Sequence, residues 1–327
     1  MRHASTGVTR RLFSIMFVAA ALTLGTLCNA AAAADDADVT FGVPPWPGEY
    51  VKAAAAREIL DTLGYTTKQF EGGGPFLMNS VGQGDLDVYM AVWRPVNNGV
   101  IEPLLDSGDV VLLTTNIKDA KYNIVVPQYV WDAGVHSIAD LHKHADKFGH
   151  KIYGIEVGNV GNRLMKDAIE DNTYDLQGWT LVASSTAGML AQADRATRHH
   201  DWIAFLGWKP HSMNIRFDLK YLEDPLNIWG PEGGKNAVQT VAYKGFIDTN
   251  PNVTRFLKQM NVGAKTQSGW IYQYAYKDQP ADKVAHEWIQ SHEDRVAQWL
   301  DGVTTADGNT GAFDVVKKEI GFKANDD

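Results

Sequence analysis

Three tryptophans stand at the ends of short apolar runs: Trp46, Trp93 and Trp208, each with a proline within two residues. In open α/β sheets the ligand crevice lies outside the carboxyl ends of the strands, so aromatic residues released there are candidates for a binding site. An indole face is negative and attracts a cation, and a quaternary ammonium group suits a cage of such faces because it has no hydrogen-bond donors. We therefore predict that these three indoles form a cage, and we assign the other tryptophans to cores or surfaces.

The elements that position these tryptophans alternate between strand and helix patterns. In the first series, strands at 38–43, 65–70 and 85–92 alternate with helices at 47–63 and 76–81. The second series has strands at 122–127, 151–155, 180–184 and 203–206, and helices at 138–147, 163–170 and 187–197. After Asp224-Pro225 the pattern becomes largely helical, with helices at 253–260, 269–276, 281–290, 295–300 and 313–319. This alternation predicts an α/β fold with doubly wound, mixed sheets and flanking helices.

The N-terminus has the pattern of a secretory signal peptide. Arginines precede an apolar run at 12–27, which is followed by small residues up to Ala34, so we predict cleavage near that residue and a signal peptide over 1–34. The pair Arg10-Arg11 leaves both the twin-arginine and the ordinary secretory route open. Cys28, the only cysteine, falls in this segment, so the mature chain has no disulfide. We expect a soluble protein in the periplasm.

The charge and length of the chain limit the possible partners and the possible domain organisation. A net charge of −9 argues against nucleic acid or an anionic membrane surface as the main partner, since both select basic patches. No apolar stretch after residue 34 is long enough to span a bilayer. Two lobes fit the length of the mature chain better than one.

Histidines offer an alternative chemistry. Candidates for metal ligands are His136, His142, His144, His150 and the pair His199-His200, but no spacing typical of a zinc site accompanies them. A calcium loop around Asp301 and 307–309 lacks the full set of oxygen ligands. We therefore predict no metal, no cofactor and no catalysis, and keep a secreted metal-dependent enzyme as the alternative from another class. His211, three residues after Trp208, either donates to a ligand carboxylate or is a plain loop histidine.

The chain closely resembles a family of substrate-binding proteins, those of ABC transporters for glycine betaine, choline and related compatible solutes (OpuAC-like). The segments that carry the resemblance are 120–122, 151–159 with 161–164, 184–185 with 188–191, 205–214, 221–225 and 299–303. The resemblance implies a two-lobed bind-and-close fold with the ligand in the interlobe cleft. Lobe I would comprise 35–118 and a mainly helical return over 226–327, and lobe II would comprise 119–225.

The resemblance also implies the site and the partners. The matching cage positions are Trp46 and Trp93 on one lobe and Tyr122 and Trp208 on the other. The expected ligand is a small quaternary ammonium or related onium solute. A membrane permease with its ATPase would receive it from the binding protein, which we expect to be a monomer.

Two departures from the family pattern concern the ligand. Members specialised for choline carry acids where this chain has Gly48 and Val160. The amides of Gly48 with Glu49, and of Gly158 with Asn159, would instead offer donors to a carboxylate at helix starts. The positive charges of Lys209 and Arg94, each next to a cage tryptophan, also favour a ligand carboxylate. The Glu49 side chain is evidence against this preference, because it could replace one of the missing acids. These features favour a carboxylate-bearing ligand such as glycine betaine, with choline, an amine oxide or dimethylsulfoniopropionate as alternatives.

Overall fold

The computed structural model describes residues 38–323. The predicted signal peptide lies outside the described residues. Within them the strands form a single mixed sheet. The strands are β1 (Asp38–Val43), β2 (Thr66–Glu71), β3 (Val88–Arg94), β4 (Val110–Pro127), β5 (Lys151–Glu156), β6 (Thr180–Ser184), β7 (Phe205–Lys209), β8 (Leu219–Tyr221) and β9 (Lys235–Tyr243).

The sheet has parallel strands at both ends and antiparallel strands in the middle. Its order is β2-β1-β3-β9-β4-β7-β5-β6, with β8 paired to β4. β1 pairs in parallel with β2 and β3, and β5 pairs in parallel with β6 and β7. β9 runs antiparallel between β3 and β4, and β4 is also antiparallel to β7. The 18-residue strand β4 and its partner β9 therefore connect the two halves of the sheet.

Helices cover both halves of the sheet. They are α1 (Pro47–Thr62), α2 (Gly74–Gln83), α3 (Asn98–Asp106), α4 (Gln128–Asp132), α5 (Ala145–Phe148), α6 (Val160–Glu170), α7 (Thr186–His199), α8 (Met213–Arg216), α9 (Pro231–Gly234), α10 (Lys244–Thr249), α11 (Pro251–Gln259), α12 (Ala264–Ile271), α13 (Ala281–Gln290), α14 (Glu293–Trp299) and α15 (Ala312–Glu319). Short 3₁₀ helices occupy Ile138–His144 and Thr173–Asp175, and a π-helical turn occupies Tyr272–Tyr276. None of the helices described is long and apolar enough to cross a membrane.

The buried apolar residues form three clusters along the sheet. The first includes Ile124, Met165 and Phe205 around β4 to β7, which we call lobe II, and it extends to Trp93 and Val96 at the end of β3. Two further clusters lie around β1 to β3, and we call this part lobe I. Phe41 and Trp270 belong to one of these clusters, and residues of α2 and β3 form the other. Burial of this much apolar side-chain surface is the main stabilising term of each lobe. The structure thus confirms the predicted mixed α/β class.

The C-terminal part is largely helical, as predicted, but the prediction lacks the strand β9. This strand lies at the centre of the sheet, between β3 and β4. Buried residues such as Val238 and Thr240 alternate with more exposed ones along it, but Gly233 and Gly234 and the polar residues in it weaken the apolar pattern. β4 likewise begins at Val110, before the predicted start at residue 122, and runs through the predicted lobe boundary at 118/119.

Candidate functional site

The four aromatic residues predicted for the cage lie on elements of both lobes. Trp46 is the N-cap of α1, in the turn that follows β1. Trp93 is the second-last residue of β3. The peptide bond that follows the strand, between Arg94 and Pro95, is cis. Tyr122 on β4 and Trp208 on β7 are direct antiparallel partners. The ends of β3 and β7, the interior of β4 and the start of α1 therefore bring the aromatic side chains to a common place.

The four rings contact one another in a closed cycle. Ring centroids are 6.1 Å apart for Trp46 and Trp93, 5.9 Å for Trp93 and Tyr122, 5.8 Å for Tyr122 and Trp208, and 6.5 Å for Trp208 and Trp46. The interplanar angles lie between 61° and 90°, so each ring presents an edge or a face to its neighbours. We call this arrangement the aromatic cage. Rings at such angles turn several negative faces towards one enclosed volume.

Further residues hold the cage from behind. Trp229 is fully buried, and its ring lies 5.0 Å from that of Tyr122. The Tyr122 hydroxyl donates to Asn159 Oδ1 at 3.0 Å, and burial, with the nearby Glu156 charge, raises the pKa of Tyr122. Trp208 packs at 4.9 Å against His211, which is only 2% exposed. The cage rings are therefore fixed by contacts within the protein.

Comparison with known proteins decides the family. Residues 37–291 match the model of the substrate-binding domain of ABC-type glycine betaine transport systems. The chain belongs to this family. The members are binding proteins of transport systems, and the alternative of a metal-dependent enzyme is not supported.

Relatives with known structures share the fold over most of their length. An ABC-transporter choline-binding protein in complex with choline is 33% identical, covers 87% of this chain and 98% of its own, and superposes with a TM-score of 0.84. Lactococcal OpuAC in its closed form with glycine betaine is 28% identical, covers 81% of this chain and 99% of its own, and has a TM-score of 0.72. The glycine betaine/carnitine transport binding protein GbuC of Listeria monocytogenes is 31% identical over 164 residues, half of this chain and 53% of that protein.

As in this family of two-lobed binding proteins, the cage opens into a cleft. The cleft holds about 690 Å³ of space free of protein atoms, part of it open to solvent. Besides the cage rings, it is lined by Pro44, Pro45, Gly73, Gly74, Pro75, Tyr89, Ala91, Val96, Asn97, Ile155, Glu156, Val157, Asn159 and Val160.

Glu156 is a cleft residue that the sequence interpretation missed. It ends β5, and its carboxylate accepts hydrogen bonds from the Thr186 amide (2.7 Å) and the Thr186 hydroxyl (3.1 Å). Thr186 is the first residue of α7, so the positive end of that helix stabilises the carboxylate. The signal in the sequence is an acidic residue directly at the end of a predicted strand. In the sequence analysis this residue has no role of its own, because it is part of a segment that carries the family resemblance.

The structure corrects the positions expected for Gly48 and Glu49. A Cβ on Gly48 would lie 2.1 Å from the Trp46 ring and 2.5 Å from Gln267 Nε2, so Gly48 packs beneath Trp46 rather than in the cleft. Glu49 is fully buried and its Oε2 lies 3.0 Å from the ammonium of Lys52, which also donates to the Met90 carbonyl at 2.5 Å. Burial raises the pKa of Glu49, against the effect of Lys52. The Glu49 side chain thus points into lobe I and its amide donates to the Trp46 carbonyl.

His211 also lies elsewhere than expected for a ligand contact. It is behind Trp208, outside the lining of the cleft. Its Nδ1 accepts from the Met213 amide at 3.1 Å, so the proton of the neutral ring is on Nε2. Burial and, secondarily, Arg216 lower the pKa of His211 to about 3. His211 is therefore a neutral packing partner of a cage residue.

Of the expected donors, Asn159 lines the cleft and Gly158 does not. The Asn159 Oδ1 atom is occupied by the Tyr122 hydroxyl and the Gly161 amide (2.7 Å), so the orientation of the side-chain amide is set and its NH₂ group is available to other acceptors. The Asn159 main-chain amide donates to the Glu156 carbonyl. A neutral side-chain donor therefore stands next to the cage.

The two cations next to cage tryptophans, Lys209 and Arg94, interact with other residues of the protein. Lys209 lies 5.0 Å over the ring of Tyr221, and Arg94 pairs with Glu102 at 3.0 Å, so neither lines the cleft. The expected effect of these two charges on the local field therefore stays a prediction that involves no direct contact with the ligand. Across residues 38–323 there is no group of three or more His, Cys, Asp or Glu that could hold a metal ion.

Proposed function

We propose that this protein captures a carboxylate-bearing quaternary ammonium solute of the glycine betaine type and presents it to an ABC permease with its ATPase. The observation that carries the proposal is the closed cycle of four aromatic rings, drawn from both lobes, around one cleft. Such a cage binds a methylated cation through the ring faces. The ligand would be enclosed between the lobes, in the periplasm, after removal of the signal peptide.

The aromatic cage supplies enough attraction for a useful affinity. Each desolvated cation–π contact is worth up to about 2 kcal/mol, so the four rings together supply at most about 8 kcal/mol. This corresponds to a Kd near micromolar before other contacts and ordering costs are counted. A primary ammonium ion gains less, because it loses strong hydration and the rings offer its N–H groups no acceptors.

The polar groups beside the cage support a ligand with an acceptor on its tail. The Asn159 NH₂ group is a donor, and the positions that hold acids in choline-specialised members are Gly48 and Val160 here. The one acid in the cleft lining, Glu156, has both oxygens bonded to Thr186 at the start of α7, which offsets its charge. A carboxylate can therefore approach the cleft.

Choline is the second candidate, because Glu156 lines the cleft. A carboxylate there would attract a net positive ligand and would repel the carboxylate of a betaine. The 33%-identical choline-binding structure points the same way. We favour the betaine because the Glu156 oxygens already have donors.

Calorimetric titration with glycine betaine, proline betaine, carnitine, choline and dimethylsulfoniopropionate tests the proposal. We expect at least one carboxylate-bearing onium ligand to bind about tenfold or more tightly than choline, since charged hydrogen bonds to the tail distinguish them. Equal or tighter binding of choline would show that the ligand assignment is wrong. In that case Glu156→Gln should weaken choline binding while leaving the betaine affinity unchanged or improved, which identifies Glu156 as the counter-charge.

A further inference from the structure

The cleft continues beyond the aromatic cage along β3. Tyr89, Ala91 and Trp93 all line it, so alternate residues of one strand face the same space. Trp93 belongs to the cage, Ala91 has a small side chain, and Tyr89 stands at the far end. Four residues of strand place the Tyr89 and Trp93 Cα atoms about 13 Å apart. The cleft is therefore longer than the cage.

The N-terminus of α2 closes this far end. Gly73, Gly74 and Pro75 line the cleft there. α2 has ten residues, its N-cap is Gly73, no side chain caps it and its first turn contains no acid. Within residues 38–323, the amide of Gly74, a residue of the cleft lining, has no acceptor outside its own helix. Unpaired amides at a helix start favour an anion through both their N–H groups and the helix dipole.

The Tyr89 hydroxyl meets these amides. The residue is only 3% exposed, and a Cβ on Gly74 would lie 3.0 Å from its hydroxyl oxygen. Tyr89 lines the cleft, and in the part of the chain described no hydrogen bond contributes to the environment of its hydroxyl. A hydroxyl that faces the cleft without a partner in the protein is free to bond to water or to a ligand. Burial and the nearby Glu49 raise the pKa of Tyr89, so the hydroxyl remains a donor.

The charges around this end of the cleft are compatible with an anionic group. Two acids of lobe I are close in sequence or space: Glu49 is paired with Lys52 at 3.0 Å, and Glu71, at the end of β2, accepts from the Tyr50 hydroxyl at 3.1 Å. Glu156, on the lobe II side, is held by Thr186. The free donors at this end are therefore the α2 amides and the Tyr89 hydroxyl.

From this geometry we infer that the start of α2 and the Tyr89 hydroxyl form a tail subsite, which receives a carboxylate separated from the onium centre by more than one methylene. The inference rests on the proposed function, since it assumes an onium group in the aromatic cage. The tail would cross Ala91, whose methyl group leaves room for it between the two larger side chains of β3. The ligand would then be an ω-onium carboxylate longer than glycine betaine.

The test compares Tyr89→Phe with wild type, using tetramethylammonium, glycine betaine and its homologue with three methylenes between nitrogen and carboxylate. We expect Tyr89→Phe to weaken the three-methylene homologue about tenfold or more, glycine betaine less, and tetramethylammonium less than about twofold. Gly74→Ala, which places a methyl group against the hydroxyl, should show the same order of losses. Tyr129→Phe and Gly99→Ala are matched controls: the Tyr129 hydroxyl donates to the Asp201 carbonyl at 2.6 Å and the residue is not part of the cleft lining, and a Cβ on Gly99 meets nothing within 4 Å.

The outcomes separate the subsite from the proposed function. An unchanged affinity of Tyr89→Phe for the homologue, or a loss confined to glycine betaine, would overturn the tail subsite. Equal losses for all three ligands would do so too, because the hydroxyl would then act on the cage and not on the tail. A wild-type protein that binds none of these onium ions would overturn the proposed function itself.

Discussion

At the scale of single residues, the aromatic types and their positions at strand ends made the cage predictable. Trp46, Trp93 and Trp208 were selected from the sequence because each follows an apolar run and lies near proline. The structure brings them together with Tyr122. Polar residues were harder to place: the burial of Glu49 and His211 depends on contacts with distant segments, which local sequence does not encode.

Trp208 is the cage residue best suited to a direct test. Its ring contacts Trp46 and Tyr122 and is 4% exposed. Trp208→Ala removes one cation–π contact of up to about 2 kcal/mol, so we expect at least a tenfold rise in the Kd for the onium ligand. Trp208→Phe keeps a smaller ring and should weaken binding less. Calorimetry on variants whose circular dichroism matches wild type measures both effects, and an unchanged Kd for Trp208→Ala would remove this residue from the site.

His211 predicts a pH dependence of stability. Its pKa falls from 6.5 in the unfolded chain to about 3 in the folded protein. Between these values the unfolded chain binds a proton that the folded protein does not. The free energy of unfolding should therefore decrease as the pH is lowered from about 6.5 towards 3, by up to about 1.4 kcal/mol per pH unit from this group.

The variant His211→Asn isolates this effect. Asn retains an acceptor for the Met213 amide but does not titrate, so the decrease in Tm between pH 6.5 and 4.5 should be smaller than in wild type. His199→Asn, at an exposed position of α7, is the control. Parallel Tm curves for His211→Asn and wild type would mean that other groups cause the acid sensitivity.

At the scale of elements, the parallel βαβ segments were predictable and the antiparallel pair β4–β9 was not. A strand buried on both faces, such as β3, is an apolar run between helical patterns in the sequence. β9 has glycines before it and polar residues within it, and its pairing with β4 depends on residues more than 100 positions apart, such as Leu112 and Val241. Such pairing is fixed by tertiary structure, and a pass along the sequence does not detect it.

The contact between α6 and β4 yields a prediction at this scale. A Cβ on Gly161, in the first turn of α6, would lie 2.2 Å from the Tyr122 hydroxyl oxygen and 2.7 Å from Cζ. Gly161→Ala should therefore displace the Tyr122 ring and weaken ligand binding about tenfold or more, comparable to the loss of one cage ring. The double variant Tyr122→Phe/Gly161→Ala relieves the contact with the hydroxyl and should recover part of the affinity. A double variant no better than Gly161→Ala would show that α6 itself has moved.

At the scale of the whole molecule, the lobes meet at the cage and at a contact outside it. Arg216 of α8 in lobe II lies 5.6 Å from the ring of Tyr276, in the π-helical turn of lobe I. This cation–π contact and the contacts among the cage rings depend on how closely the lobes approach. Because the chain passes between the lobes through β4 and β9, a change of twist in these two strands would move one lobe relative to the other.

The cage is complete only when the lobes are together, which predicts a ligand-dependent change in shape. Trp46 and Trp93 belong to one lobe and Tyr122 and Trp208 to the other, with neighbouring ring centroids no more than 6.5 Å apart. A cation bound by all four rings interacts more favourably with the closed arrangement than with an open one, so it increases the closed population. We expect solution X-ray scattering to give a smaller radius of gyration with saturating onium ligand than without it. Glycine, a zwitterion without methyl groups on nitrogen, should leave the profile unchanged, and so should the onium ligand with Trp208→Ala at the same concentration. An identical profile for wild type with and without bound ligand would instead indicate a preformed, rigid cage, in which closure contributes nothing to selectivity.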